Sequence, residues 1–180
     1  MNAPEVDIPE VDIPEVDAHE ETSPEFVEIA LKIAKTFGGI HQSGVVHNDI
    51  KWDNLCLQFT TKGLKVTLID FGIAKDYGMT MSLEGEWIPE GCYPPEFYKD
   101  FGGECCHESD VYAIGGLMQT ICKRADLQNP KILEWIRKSK SQVIEERENL
   151  NVLLKLLRAE KSEQLIVGNS TDIGNAAGGP

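Results

Sequence analysis

Four short signals follow one another through the middle of the chain, and their order constrains the fold more than any bulk property: HNDIKWDN at 47–54, LIDFGIAK at 68–75, CYPPEF at 92–97 and SDVYAIGG at 109–116. In the first, Asp49 and Asn54 stand five residues apart on what reads as a tight loop between two short strands. A carboxylate there can orient a hydroxyl and accept its proton, while an amide oxygen a few residues on can hold a cation. The second signal delivers Asp70 at the end of a β-rich run, followed by Phe71 and the flexible Gly72. A hard cation bridging phosphates wants such a carboxylate. The fourth reads as a helix start with Asp110 near its positive end.

The flanking pattern is helical. Ser23-Pro24 reads as an N-cap with Pro at the first helical position, and Phe26, Ile29, Ile33 and Phe37 follow helical spacing. That helix must accommodate or end at Gly38-Gly39, and Gly44 stops it in any case. Short strands are expected at 45–47, 55–57 and 65–70, the last two separated by a turn around Lys62-Gly63. Further helices are expected at about 109–122, from Pro130 onward with Asn129 as cap, and through a Leu-rich stretch ending near Leu157. Cys105-Cys106-His107 has no second Cys pair at ligand spacing, so a surface loop is expected there rather than a metal site.

Charge is unevenly placed. The 180 residues carry 30 acidic and 17 basic side chains, a net charge of -13, with 41% apolar residues. That suffices for one core, and the acidity argues against a nucleic-acid or anionic-membrane partner. Residues 1–24 hold eight of the acids and no Lys or Arg, and begin with the repeat PEVDI, PEVDI, PEVDA at 4–18. Proline at every fifth position and alternating carboxylates predict an extended, solvated leader. Its Val and Ile side chains could serve as anchors of a multivalent short motif. Five cysteines, an odd number without a secretory context, read as reduced thiols of an intracellular protein, cytoplasmic or nuclear. No stretch reaches the ~18 apolar residues of a membrane span. The sequon Asn169-Ser170-Thr171 therefore reads as chance, in a tail over 167–180 expected to be flexible.

Taken in order, the four signals resemble the eukaryotic protein kinase family. His47-Asn48-Asp49 with Lys51 and Asn54 matches the H-R-D-L-K-x-x-N catalytic loop, Asp70-Phe71-Gly72 matches D-F-G, Pro94-Pro95-Glu96 matches A-P-E, and Ser109-Asp110-Val111-Tyr112 with Gly115 matches the motif of a central helix. Lys51, two residues after the Asp, resembles the serine/threonine rather than the tyrosine branch. The resemblance implies that Asp49 is the catalytic base and that Lys51 steadies the transferred phosphate. It also implies that Asn54 and Asp70 hold Mg2+, and that Leu55, Cys56 and Leu57 floor the adenine pocket of ATP. It further implies that His47 stacks on Phe71 and that Asp110 braces the catalytic-loop backbone.

The departures from the family pattern matter equally. Ahead of His47 there is no Gly-rich loop, strand Lys or helix Glu of the N-terminal lobe, and Lys32 and Lys35 sit on the presumed first helix. Asn48 replaces the Arg that would bind an activation-loop phosphate, and all four Arg residues follow position 123, which puts activation through Thr80 or Ser82 in doubt. Without gaps the family's Gly-Thr pair falls at Ile88-Pro89, and the late-helix Arg that pairs with the A-P-E Glu falls at Gln164. Glu96 then needs water or another cation.

The expectation is a mainly α fold with short β-strands, like a protein kinase C-terminal lobe lacking its N-lobe, at 25–166. The acidic leader precedes it and the tail follows. The function implied is transfer of the ATP γ-phosphate to protein Ser or Thr, incomplete in this chain, with a protein substrate or binding partner. A noncatalytic pseudokinase-type interaction module is the alternative. A small-molecule kinase, as H-x-D-x-x-x-x-N also permits, is a second alternative that Gly72, Pro94-Pro95-Glu96 and Ser109-Asp110-Val111 oppose.

Overall fold

The computed structural model describes residues 23–83, 93–98 and 102–174. The PEVDI repeat, the Ile88-Pro89 position and the last six residues lie outside the described residues. Helix α1, Ser23–Gln42, begins at the expected cap and passes straight through Gly38-Gly39. Its buried face, Val27, Ala30, Leu31, Ile33, Ala34 and Phe37, is wider than the stripe read from sequence. Burying that face outweighs the ~1 kcal/mol that a helical glycine costs. Gly44 ends the helix as expected, in the left-handed region at φ 78°.

Three two-stranded antiparallel ribbons follow, together with the central helix. Strand β1, Val45–Val46, pairs with β4, Lys75–Asp76. Strand β2, Leu55–Thr60, and β3, Gly63–Leu68, form a hairpin with Leu55 opposite Leu68 and Thr60 opposite Gly63. The hairpin is longer than the sequence suggested because its outer half is held by ladder bonds rather than by burial; β2 is exposed from Cys56 to Thr60. Strand β5, Thr80–Met81, pairs with β6, Gly103–Glu104.

The helical body comprises α1, α2 (His107–Arg124), α3 (Pro130–Ser139) and α4 (Leu150–Gly174). Asn129 caps α3 as expected, its side-chain oxygen accepting from the amides of Lys131 and Ile132 at 3.0 and 3.3 Å. Helix α4 continues well past Leu157, carried by local bonds such as Gln164 Nε2 donating to Glu160 Oε1 at 3.0 Å. Phe37, Ile114, Met118, Trp135 and Leu153 fill one core between the helices. A second, smaller core of Val46, Met81, Leu83, Phe97 and Cys105 lies under the ribbons. Cys105 and Cys106 are thus buried, at 0% and 8% exposure, and the expectation of a surface loop there is corrected. The Cys105 thiol packs in this smaller core, 3.5 Å from Asn48 Nδ2. No helix among the described residues is long and apolar enough to cross a membrane.

Candidate active site

The loop between β1 and β2 carries the site, and its backbone is held from below. Asp110, in the first turn of α2, accepts the amides of His47 and Asn48 on its two oxygens, both at 2.9 Å. It also takes His41 Nε2 at 2.9 Å. A carboxylate 1% exposed is tolerated because both of its oxygens accept hydrogen bonds. Asn48, at φ 65°, turns inward: its amide donates to Ile73 O at 3.2 Å and reaches Cys105 Sγ at 3.5 Å. It faces the interior and does not take the place of a phosphate-binding Arg.

Asp49 is the most heavily bonded group of the loop. Its Oδ2 receives Lys51 Nζ and Asn54 Nδ2, each at 2.9 Å, and its Oδ1 receives the Tyr93 hydroxyl at 3.1 Å. Burial alone would raise its pKa. The Lys51 and Asn54 hydrogen bonds, the Lys51 charge and the Tyr93 hydroxyl outweigh burial and hold the carboxyl below its ordinary value. Lys51 is raised in turn, by its hydrogen bond to Asp49 against a smaller burial effect, with the charges of Asp49, Asp53 and Asp70 adding to the rise. A carboxylate fixed in its charged form at the mouth of a cleft can receive a proton from a hydroxyl.

Asn54 closes a 3-10 turn, Trp52–Asn54, and its amide also donates to Asp49 O at 2.7 Å. With both donors aimed at Asp49, its Oδ1 is the atom left to meet a cation. Asp70 is tied to the same loop through the backbone, since Ile69 N donates to Asn54 O at 2.9 Å. Asp70 sits at φ 60°, with one carboxylate oxygen on Gly72 N at 3.2 Å. An amide oxygen and a hard carboxylate fit Mg2+, which keeps waters and takes substrate phosphates as its remaining ligands. Phe71 meets the His47 ring edge-on, with centroids 4.7 Å apart, and is 47% exposed on its other side. Cys56 stands opposite Thr67 in the hairpin, exposed and outside this bonded cluster.

Residues 15–166 match the family model described as "Protein kinase domain". The chain belongs to the protein kinase family. Within that family it is 31% identical over 105 residues to the probable serine/threonine-protein kinase fnkB of Dictyostelium discoideum, covering 56% of this chain and 19% of that protein. It is 31% identical over 84 residues to myosin light chain kinase A of the same organism, covering 47% and 28%. It is also 38% identical over 109 residues to a serine/threonine-protein kinase-like protein of Arabidopsis thaliana, covering 55% and 28%. The match to each relative spans less than a third of that relative's length.

Of the two expectations for Glu96, water or another cation, the structure shows the second. The partner of Glu96 is Arg147, ahead of α4, and not the position of Gln164. The Arg147 NH1 and NH2 groups meet Glu96 Oε1 and Oε2 at 2.8 and 2.7 Å, and Ser109 Oγ donates to Oε1 at 2.9 Å. Arg147 Nε and NH1 also reach Ser141 O and Glu108 O, both at 3.0 Å. Ungapped counting along the chain missed this because the guanidinium arrives from an irregular turn, where length varies freely. Burial would raise the Glu96 pKa, but Arg147 holds it below the ordinary value. Tyr93 was missed too: its contact with Asp49 spans 44 positions, and no local pattern announces it.

Proposed function

We propose that this protein kinase-family chain serves the transfer of the ATP γ-phosphate to Ser or Thr hydroxyls of a protein. In this reading Asp49 is the base, Lys51 steadies the phosphate, Asn54 and Asp70 are Mg2+ ligands, and Cys56 belongs to the adenine floor. The observation that carries it is Asp49 held by Lys51 and Asn54 at 2.9 Å on a loop clamped by Asp110. Phosphoryl transfer needs positioning and charge neutralisation above all, and these groups supply the C-terminal half of both. Since the sequence ahead of Asp49 offers no Gly-rich loop or strand Lys, the chain alone should bind Mg-ATP weakly or not at all and show no measurable turnover.

A second reading, a noncatalytic interaction module, draws support from exposed apolar side chains of the hairpin and of the segment after Asp70: Leu57 at 40%, Phe59 at 73% and Phe71 at 47%. Calorimetric titration with Mg-ATP, together with a phosphotransfer assay of the native chain and Asp70→Ala, separates the two. Turnover abolished by Asp70→Ala rules out the module. Absent turnover is expected of this chain under both readings; weak Mg-ATP binding that Asp70→Ala removes supports the first, and absent binding supports the module.

A further inference from the structure

Residues 1–22 bring eight carboxylates and no Lys or Arg to the start of α1, and the phosphotransfer chemistry uses none of them. Such a segment is drawn to basic surface within its reach. The groove between α1 and α4 is one.

Two contacts fix how these helices lie. Glu28 of α1 pairs with Lys161 of α4, and further along α1 a Cβ on Gly38 would meet Leu154 Cδ1 at 3.8 Å. Moving forward on α1 is moving back on α4, so the pair is antiparallel. Lys32 and Lys35 follow Glu28 at i+4 and i+7, and Arg158 stands on the stripe from Leu154 to Lys161. The two stripes run side by side, with Lys155 on the adjoining turn of α4. Lys32, at 3.8 Å, and Lys161 share the Glu28 carboxylate. Lys35, Lys155 and Arg158 are exposed and have no ion-pair partner among the described residues. Glu160 is turned away, accepting from Asn129 Nδ2 at 2.6 Å, and Glu25 lies back in the first turn of α1.

The leader reaches this groove easily. From Ser23 to Lys35 the helix rises about 18 Å, which about six extended residues span. Residues 1–22 therefore suffice to turn at the start of α1 and lie back over the cations. Carboxylates two residues apart on an extended chain stand about 6.5 Å apart, close to the ~5–6 Å between helix neighbours at i+3 and i+4. Leu165, 60% exposed, follows Lys161 at i+4 toward the start of α1, where a Val or Ile of the repeat can cover it.

We propose that the acidic PEVDI leader docks in cis on the basic α1–α4 groove, its carboxylates meeting Lys32, Lys35, Lys155 and Arg158. Single exposed ion pairs are weak, but a short tether supplies a local concentration on the order of millimolar, so a few weak contacts suffice. The near-identical units compete for the one groove. A basic partner of the leader has to displace this contact. None of the groove residues belongs to the loop that carries Asp49, so the docking is independent of phosphoryl transfer.

The test uses the full chain and zero-length carbodiimide coupling, which joins a carboxylate to an amine only where the two touch, with cross-linked peptides read by mass spectrometry. Each lysine is normalised to its own reactivity toward an N-hydroxysuccinimide ester. Leader carboxylates should couple to Lys35 and Lys155 about tenfold more than to the exposed Lys62, Lys65 and Lys131, as contact at a millimolar local concentration implies. About 1 M salt, which screens charges beyond ~3 Å, should remove that preference. Lys35→Gln with Arg158→Gln, both at exposed positions, should cut coupling to Lys155 severalfold with an unchanged circular dichroism spectrum. Equal coupling to the two sets of lysines, or a preference that neither salt nor the double variant reduces, overturns the docking. Mixing heavy-isotope-labelled and unlabelled chains identifies the donor. Leader-to-groove links within one chain support docking in cis, and links mainly between labelled and unlabelled chains overturn it in favour of a second copy's leader.

Discussion

The helical body and the strand-and-loop face above it are built on different terms. In the body, Phe37, Ile114, Trp135 and Leu153 are no more than 1% exposed, and the Trp135 indole donates to Asn149 O at 3.1 Å. On the face, β2 is exposed along most of its length, and Phe59 and Phe71 lie open. Asp49, Asn54 and Asp70 sit on the lightly packed face, while a few buried charges tie that face down. Asp110 reaches up from α2 to the loop amides, and Arg147 reaches across to Glu96. The substitutions with the largest effect on folding should therefore strike those ties and the body, and leave the chemical groups themselves aside.

Arg147→Ala is the severest of these tests. It strands Glu96, 2% exposed, without its counter-charge, and removes donors from Ser141 O and Glu108 O. A loss of about 3–5 kcal/mol is expected from urea unfolding. Replacing the pair together, Arg147→Met with Glu96→Leu, should recover much of it, since neither change then leaves a bare charge. If the single variant cost no more than a surface change, the face would not be tied to the body through this pair.

Gly115 tests how closely the body is packed. A Cβ there would lie 2.0 Å from Ser139 Oγ, whose side chain is fully buried between α2 and α3. Gly115→Ala should cost about 1–3 kcal/mol by overpacking. Its neighbour Gly116 meets only Lys140 Nζ at 4.0 Å, and Gly39 meets nothing within 4 Å. Gly39→Ala should stabilise by up to about 1 kcal/mol, because Ala favours the helix that Gly resists. Opposite signs from two helical glycines in the same unfolding assay would sharpen the contrast between packed and open positions.

Legibility followed the same division. The start of α1, the Asn129 cap and the Gly44 stop were readable because each is a local rule about backbone donors and φ. The cluster of Asp49, Lys51 and Asn54 was readable because its members lie within six residues on one loop. What escaped was long-range. Arg147 reaches Glu96 across 51 positions, Tyr93 reaches Asp49 across 44, and His41 stacks on His107 with ring centroids 4.3 Å apart. None of these side chains carries a periodicity or spacing that points to its partner. The burial of Cys105 and Cys106 escaped for a related reason: a thiol's surroundings are set by what folds over it.

The two regions should also part company with pH. His107 is held below the ordinary imidazole value by burial and then by the nearby His41, against opposing pulls from Glu108 and Asp110. A depressed imidazole binds fewer protons folded than unfolded, so stability is greatest above about pH 6.5 and falls as pH drops toward the folded pKa. Glu96 is depressed as well, so its contribution survives this range and is lost only as pH falls below the ordinary carboxylate values. Urea midpoints from pH 8 to pH 4 should show an early decline that His107→Gln removes and Glu96→Gln leaves in place. A midpoint that stays flat to pH 5 in the native chain would count against a depressed His107.

The smallest effect is expected at Phe59, and it bears most directly on how the face differs from the body. Phe59 stands opposite Leu64 in the β2–β3 ladder, but Leu64 is 7% exposed and Phe59 is 73% exposed. Most of the Phe59 ring is in water already, so removing it forfeits little burial. What Phe59→Ser does lose is strand preference, worth less than about 1 kcal/mol. Leu64→Ser, on the same face of the same rung but buried, exchanges an apolar side chain for a hydroxyl and should cost more in the same urea titration. Equal costs at the two positions would mean that Phe59 is covered in solution, for instance by a second copy of the chain. Dependence of the Phe59→Ser midpoint on protein concentration would then identify that cover as self-association.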